Sequence, residues 1–363
     1  MPYVDRRAFL VGAATVGLST SLAFSASDRL ETMAVSHNAL WNGIAITPEG
    51  RRFVALPNWL GPSAGVGEID RQGALHPWPG NEWNNWRAGG DAFKSLVNVN
   101  AVRLNSKGDE LWVVDAGLPA ASPRLERGAK LVVFDVSSGT VKRVHSLDRV
   151  LADPGASPND IRFHGQHAFI SESGMGSVVL MDLGSGLLRR VLVQHPLLVM
   201  DAEKRPVMVD GEPLMWPNGK PFGTSANQLE VSPDGRWLYI QPLNGGLARI
   251  DVALLTSAAA TPEQLSHGLG FWVDTPPLSG SAIDSDGVLY LNAINDCSIR
   301  RLAPNGTMET IIQDDRLRWA DAPWLSPDGY LWLPIAQLGW APMLRKGVSH
   351  LQWPTPLFRL KVR

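Results

Sequence analysis

Asparagine dominates the residues of this chain that could do chemistry, and it recurs at a fixed distance from a glycine. Asn42 stands eight residues before Gly50, Asn100 eight before Gly108 and Asn227 eight before Gly235. Ser279 precedes Gly287 and Asp321 precedes Gly329 at the same offset. Asn159 precedes Gly165 by six, because the turn at 163–166 is two residues shorter. Side chains ending in carbonyl and carboxylate oxygens suit a hard divalent cation, calcium before others. Asn159, Asn227 and Asp321 are therefore candidate metal ligands, and Asn42, Asn100 and Ser279 candidate contacts to a small polar ligand. Asp321 supplies the one formal charge of the set, and Asp160 beside Asn159 adds a second carboxylate. Those two are the candidate catalytic groups, as general bases toward a bound water. The plainer role of such residues at strand starts is to cap backbone groups.

Tryptophan is the second signal, with fourteen residues against four tyrosines. Trp59, Trp78, Trp83 and Trp86 cluster after the first repeat, and Trp216, Trp340 and Trp353 fall in other long insertions. An aromatic wall would stack on sugar-like or aromatic ligands, with Trp83 and Trp86 as the candidate contacts. The plainer role is to anchor long loops. Trp112, Trp237 and Trp332 sit at strand register and read as blade packing. The eight histidines show no paired zinc spacing, and neither a nucleophile elbow nor a phosphate loop is present.

What positions the polar set is a repeat. Each copy runs from the polar residue through an apolar strand, a tight turn such as Pro233-Asp234-Gly235, and a second apolar strand. Pro presets φ and Gly accepts positive φ, so these are turns with a mechanism. A second hairpin follows in most copies, as at Lys130 to Val136, Ser137-Ser138-Gly139 and Val141 to Val144. Six copies of four antiparallel strands predict an all-β, six-bladed β-propeller. The last copy has a third strand at 357–362 and no fourth, so the segment 30–36 is expected to supply the outer strand and close the ring. Every long insertion (58–65, 79–97, 116–128, 194–226, 256–278, 334–356) falls on one face. A ligand is expected to arrive on that elaborated face, where the polar residues ring the channel mouth.

The 363 residues are 44% hydrophobic and 19% charged, ordinary for a globular protein, and a net charge of −2 without a basic stripe gives no support to a nucleic-acid partner, so none is expected. The single cysteine, Cys297, excludes an internal disulfide framework. Asp5-Arg6-Arg7-Ala8-Phe9-Leu10 leads into a weakly apolar run rich in Gly, Ala, Ser and Thr. This resembles a twin-arginine export signal, so residues 1–27 are set apart from a propeller domain at 28–363. Periplasmic or secreted localisation follows, with no membrane partner after signal removal, no organic cofactor, and a small-molecule ligand or substrate.

Several short stretches resemble the major royal jelly protein/yellow family. They are Asn100 to Gly117, Pro158-Asn159-Asp160-Ile161-Arg162, Ala168 to Gly174, Asp210-Gly211-Glu212-Pro213-Leu214, and Ser232-Pro233-Asp234-Gly235 with Leu238-Tyr239. The resemblance implies a six-bladed propeller and secretion. Family activities range from a dopachrome-converting enzyme to amine binders and nutritional proteins, so it fixes no reaction. The repeat starts are also similar to the gluconolactonase/regucalcin family, whose divalent ion is held by a Glu, two Asn and an Asp. Asn159, Asn227 and Asp321 match the last three, and Asn42 stands where the Glu would be. Three functions follow as expectations. One is an exported propeller binding a small polar or aromatic molecule at the channel mouth, with or without a divalent cation. Another is a metal-dependent lactone or ester hydrolase (or, for an enzyme of the yellow type, an isomerase). The last is a structural or partner-binding propeller.

Overall fold

The computed structural model describes residues 29–61, 64–119 and 123–363. The proposed export signal lies outside them. Six four-stranded antiparallel sheets make up the fold. Blade one comprises Gly43–Ile46, Arg52–Ala55, Val66–Ile69 and Leu75–Pro77, and blade two Val99–Leu104, Glu110–Asp115, Lys130–Asp135 and Val141–Ser146. Blades three, four and five begin with Pro158–His164, Ala226–Val231 and Leu278–Ile283. Blade six is built from Trp324–Leu325, Tyr330–Pro334, Thr355–Lys361 and, outermost, Leu30–Ser36. That last strand runs antiparallel along Thr355–Lys361, from Leu30 opposite Leu360 to Ser36 opposite Thr355. Each inner strand packs on the inner strand of the next blade, and the sixth returns to the first. The result is the six-bladed propeller read from the repeat.

The sequence dictates this locally through its turns. At Ser232-Pro233-Asp234-Gly235 the Gly235 N–H donates to the Ser232 carbonyl at 2.8 Å, and the glycine takes φ +70. The Asp234 carboxylate accepts from the Arg236 N–H at 3.0 Å, fixing the return strand. Between blades the core is apolar. Phe53, Val99, Val113 and Phe134 fill the seam of blades one and two, and Val114, Leu131, Ile161 and Ile170 that of two and three.

Near the axis the core changes character. Arg103 of blade two donates to Asp160 of blade three through Nε at 3.2 Å and Nη2 at 2.8 Å, and through Nη1 to the Pro323 carbonyl at 3.3 Å. Arg162 bridges Asp160 at 2.7 Å and both oxygens of Glu230 on blade four at 2.9 and 2.7 Å. Ser281 of blade five completes the chain, donating to Glu230 at 3.0 Å. Arg103, Asp160, Glu230 and Ser281 are each at least nine-tenths buried. Two guanidiniums facing two carboxylates leave no net charge, and every blade from two to six contributes a group.

Removing one member of such a buried pair strands the other, which costs about 3–5 kcal/mol, against at most about 1 kcal/mol for an exposed pair. Asp160→Ala is expected to lower the free energy of unfolding by that larger amount in denaturant titration. Arg301→Ala, which breaks the exposed pair with Glu309, is expected to have little effect. Equal, small losses in both variants would show that the axial network does not hold the blades.

Candidate functional site at the channel mouth

In blades two to five the inner strands are bulged where the polar residues stand, while Asn42 and Asp321 precede the inner strands of blades one and six. In blade two Val99 pairs with Asp115 and Ala101 with Val114, which leaves Asn100 as the extra residue. In blade three Pro158 pairs with Glu172 and Ile161 with Ile170, so Asn159 and Asp160 face one partner. Asn227 and Gln228 occupy the equivalent break in blade four, and Ser279 in blade five. A bulge bends the strand and re-aims its side chain, here toward the axis. The structure brings Asn42, Asn100, Asn159, Asn227 and Asp321 to the floor of one cavity of about 570 Å³.

Hydrogen bonds to backbone carbonyls fix how two of those amides face. Asn42 donates through Nδ2 to the Asn100 carbonyl at 2.9 Å, and Asn100 through Nδ2 to the Asn159 carbonyl at 3.0 Å. Each amide thus ties its blade to the backbone of the next. Asn227 donates to the Thr224 hydroxyl at 3.1 Å. The Asn42 Oδ1 atom is buried and has no partner.

The walls come from the insertions. Trp59, Leu118, Trp216, Phe222 and Met343 line the cavity, together with Trp319 from the link between blades five and six. Trp216 lies 4.6 Å from Phe222 between ring centroids, and Phe222 meets Trp319 edge-on at 6.1 Å. Trp319 has φ +56, an uncommon conformation for a bulky residue. That turn of the backbone sends its indole N–H to Asp321 Oδ2 at 3.0 Å. Strain of this kind concentrates at functional sites.

The two candidate carboxylates are driven in opposite directions. Burial alone would raise Asp160, but Arg103 and Arg162 outweigh it and hold the carboxyl down at about 2. Burial pushes Asp321 up to about 8, against the N–H groups of Ala322 and Trp319; the charge of Asp160 adds to the rise and Arg103 opposes it. Asp321 therefore holds a proton at neutral pH, contrary to the charged ring member expected from sequence. Asp160 is locked in its ion pairs below the floor, which removes it from the role of general base.

Three further expectations are corrected by packing. Ser279 lies in the narrow space beneath the floor with Asp160 and Gln228, and its hydroxyl donates to the Ala320 carbonyl. Trp83 packs edge-on against Phe134 of blade two at 6.2 Å, and Trp86 is buried among Ala92, Val97 and Leu125. Neither tryptophan lines the cavity; both anchor the 79–97 insertion. Sequence reasoning missed Arg103, Arg162 and Glu230, although each stands three residues after its ring asparagine. It also missed Trp319, two residues before Asp321, and the Asn58-Trp59 pair in the wall. As for a divalent ion, the floor offers oxygen donors of the right type, including the unpartnered Asn42 Oδ1. Among the described residues no group of three His, Cys, Asp or Glu side chains is arranged to hold a metal.

The proton on Asp321 makes stability depend on pH. Its carboxyl is raised from 3.8 to about 8 on folding, so the folded chain binds the proton more tightly and loses stability as pH climbs through that window. Asp321→Asn removes the slope. Its stability relative to wild type is expected to improve from pH 5 to pH 8 by about 1–3 kcal/mol, less than full burial implies because the group borders a cavity. Thermal unfolding at several pH values checks this, and a pH-independent difference would contradict the raised carboxyl.

A family model described as Major royal jelly protein matches residues 101–316, more than half of the chain. No curated protein matches it. Among solved structures it is similar to the calcium-binding protein regucalcin from Agrobacterium tumefaciens, at 14% identity and a TM-score of 0.54, covering 92% of this chain and 96% of that one. A gluconolactonase from Xanthomonas campestris also gives 14% identity and 0.54, covering 92% and 89%. Virginiamycin B lyase from Staphylococcus aureus gives 11% and 0.50, covering 92% and 99%. At such identities the structural likeness establishes the propeller fold alone. With the family match over blades two to five, this chain belongs to the major royal jelly protein family.

Proposed function

We propose that this chain is an exported binding protein for a small molecule, which enters from the elaborated face and rests its polar end on the asparagine floor. One observation carries the reading: five blades supply a polar floor and the insertions an aromatic wall to the same cavity of about 570 Å³. Cavities of a few hundred cubic ångströms with mostly apolar walls and a few convergent polar groups are the usual form of a small-ligand site. Export rests on the paired arginines ahead of the weakly apolar run. The periplasm or the exterior is then where the ligand is met.

A divalent cation is the second occupant, favoured by the partnerless Asn42 Oδ1. Asn42, Asn159, Asn227 and Asp321 would hold calcium through oxygen. When bound, such an ion would polarise a lactone or ester carbonyl. Asp321 would have to release its proton first, and Asp160 remains engaged by two arginines. Hydrolysis is therefore the weaker reading, because burial favours the protonated form of Asp321 and the arginines occupy Asp160.

Isothermal titration with small aromatic amines, alcohols and sugars tests the binding reading. Trp216→Ala is expected to weaken the best ligand by about ten-fold or more through lost aromatic contact. Binding that is indifferent to Trp216 would place the ligand elsewhere. Equilibrium dialysis with calcium tests the second reading, with Asp321→Asn expected to reduce uptake at least about ten-fold. Uptake unchanged by that substitution would exclude the floor as the cation site.

A further inference from the structure

The register that sets a polar residue at the elaborated mouth sets an apolar one at the other end of the channel. Four residues after Asn100, Asn159, Ser279 and Asp321 stand Leu104, Phe163, Ile283 and Leu325. These four collar a second cavity, of about 290 Å³. Ser106, in the tight turn after the inner strand of blade two, lies at its edge and places it on the trimmed face. Arg103, Arg162 and Glu230 form its polar end. It shares no lining residue with the cavity at the elaborated mouth.

Hydrogen bonding at that polar end leaves donors over. A guanidinium carries five N–H groups. Arg162 spends all of its own on Asp160, on Glu230 and on the carbonyls of Ile161 and Ser281. Arg103 spends three, two on Asp160 and one on the Pro323 carbonyl, so two are unmatched. It is only 5% exposed, so water does little to satisfy them. Burial, then the charge of Arg162, pull this guanidinium below its ordinary pKa even with Asp160 in contact. Trp324, in the wall of the same cavity, has a buried indole N–H without a partner. The Glu230 carboxylate is already engaged through both oxygens.

We infer that the trimmed face carries a second small-molecule site, which takes an uncharged apolar compound ending in a hydrogen-bond acceptor such as a ketone carbonyl. The carbonyl meets the surplus N–H groups of Arg103, and the apolar body lies within the collar. A buried donor left without an acceptor costs more than a bond gains, so an acceptor is what this end lacks. The two guanidiniums and two carboxylates of the axis already cancel. An anionic head would therefore leave one charge uncompensated in a dry interior, which is strongly unfavourable.

Acetophenone, ethylbenzene and benzoate share a ring and differ in the head, and ligand-observed NMR titration of the full chain compares them. Acetophenone is expected to bind at least about ten-fold tighter than the other two, the worth of one hydrogen bond to a charged donor. Ser106→Trp sets an indole at the exposed edge of the cavity and is expected to weaken acetophenone by about ten-fold or more. Ile283→Trp repeats the plug from blade five should the first variant fold poorly. Trp216→Ala, at the opposite mouth, is expected to leave the plug-sensitive binding unchanged. Binding indifferent to both plugs, or plug-sensitive binding that Trp216→Ala also removes, overturns the second site. Ethylbenzene or benzoate bound as tightly as acetophenone overturns the acceptor rule. Failure of all three compounds to bind overturns the site and leaves the reading of the elaborated mouth standing.

Discussion

The axis of this propeller is held by charge rather than by apolar packing. Asp160 sits between Arg103 and Arg162, and Arg162 passes on to Glu230, so that inner strands from separate blades share one hydrogen-bonded chain. Paired charges in a dry interior give little net stability over apolar groups, but breaking one pair leaves its partner stranded. The network therefore specifies how the inner strands meet more than it adds to their stability.

Everything at the mouth is set by what lies below and beside it. The arginines are engaged by Asp160 and Glu230, so Asp321, a single layer above, has no counter-ion and keeps its proton. Two carboxylates at the same end of one channel thus take opposite states, which is how environment separates roles among like groups. Bulges in blades two, three and four turn Asn100, Asn159 and Asn227 inward, and carbonyls of the next blade orient the Asn42 and Asn100 amides. The chemistry on offer follows from backbone geometry as much as from residue type.

The insertions that wall the cavity are pinned by buried carboxylates at the ends of the second strands. Asp115 accepts from the N–H groups of Val97, Asn98 and Gly117 and pairs with the fully buried Lys130 at 2.5 Å. Glu172 accepts from the N–H groups of Ser157, Gly174 and Met175. Loop backbone that would otherwise lack partners is satisfied there, and Asn98 and Ser157 are carried to the cavity edge as a result. Asp115 lies within a strand that reads as ordinary blade packing, which is why its role was not legible beforehand.

The sequence by itself determined the repeat, the six blades, the turn chemistry and the register of the polar ring, because each is a local pattern repeated at constant spacing. It also placed the elaborated face, since insertion lengths can be counted. Tertiary structure alone decided which ring members face the cavity, which tryptophans wall it, and which carboxyl is charged. Asp160 and Asp321 are indistinguishable as residues, and Trp83 and Trp216 are both loop tryptophans. They differ only in their neighbours from other blades, and the free energy of a buried charge or ring is set by those neighbours, which no local spacing records.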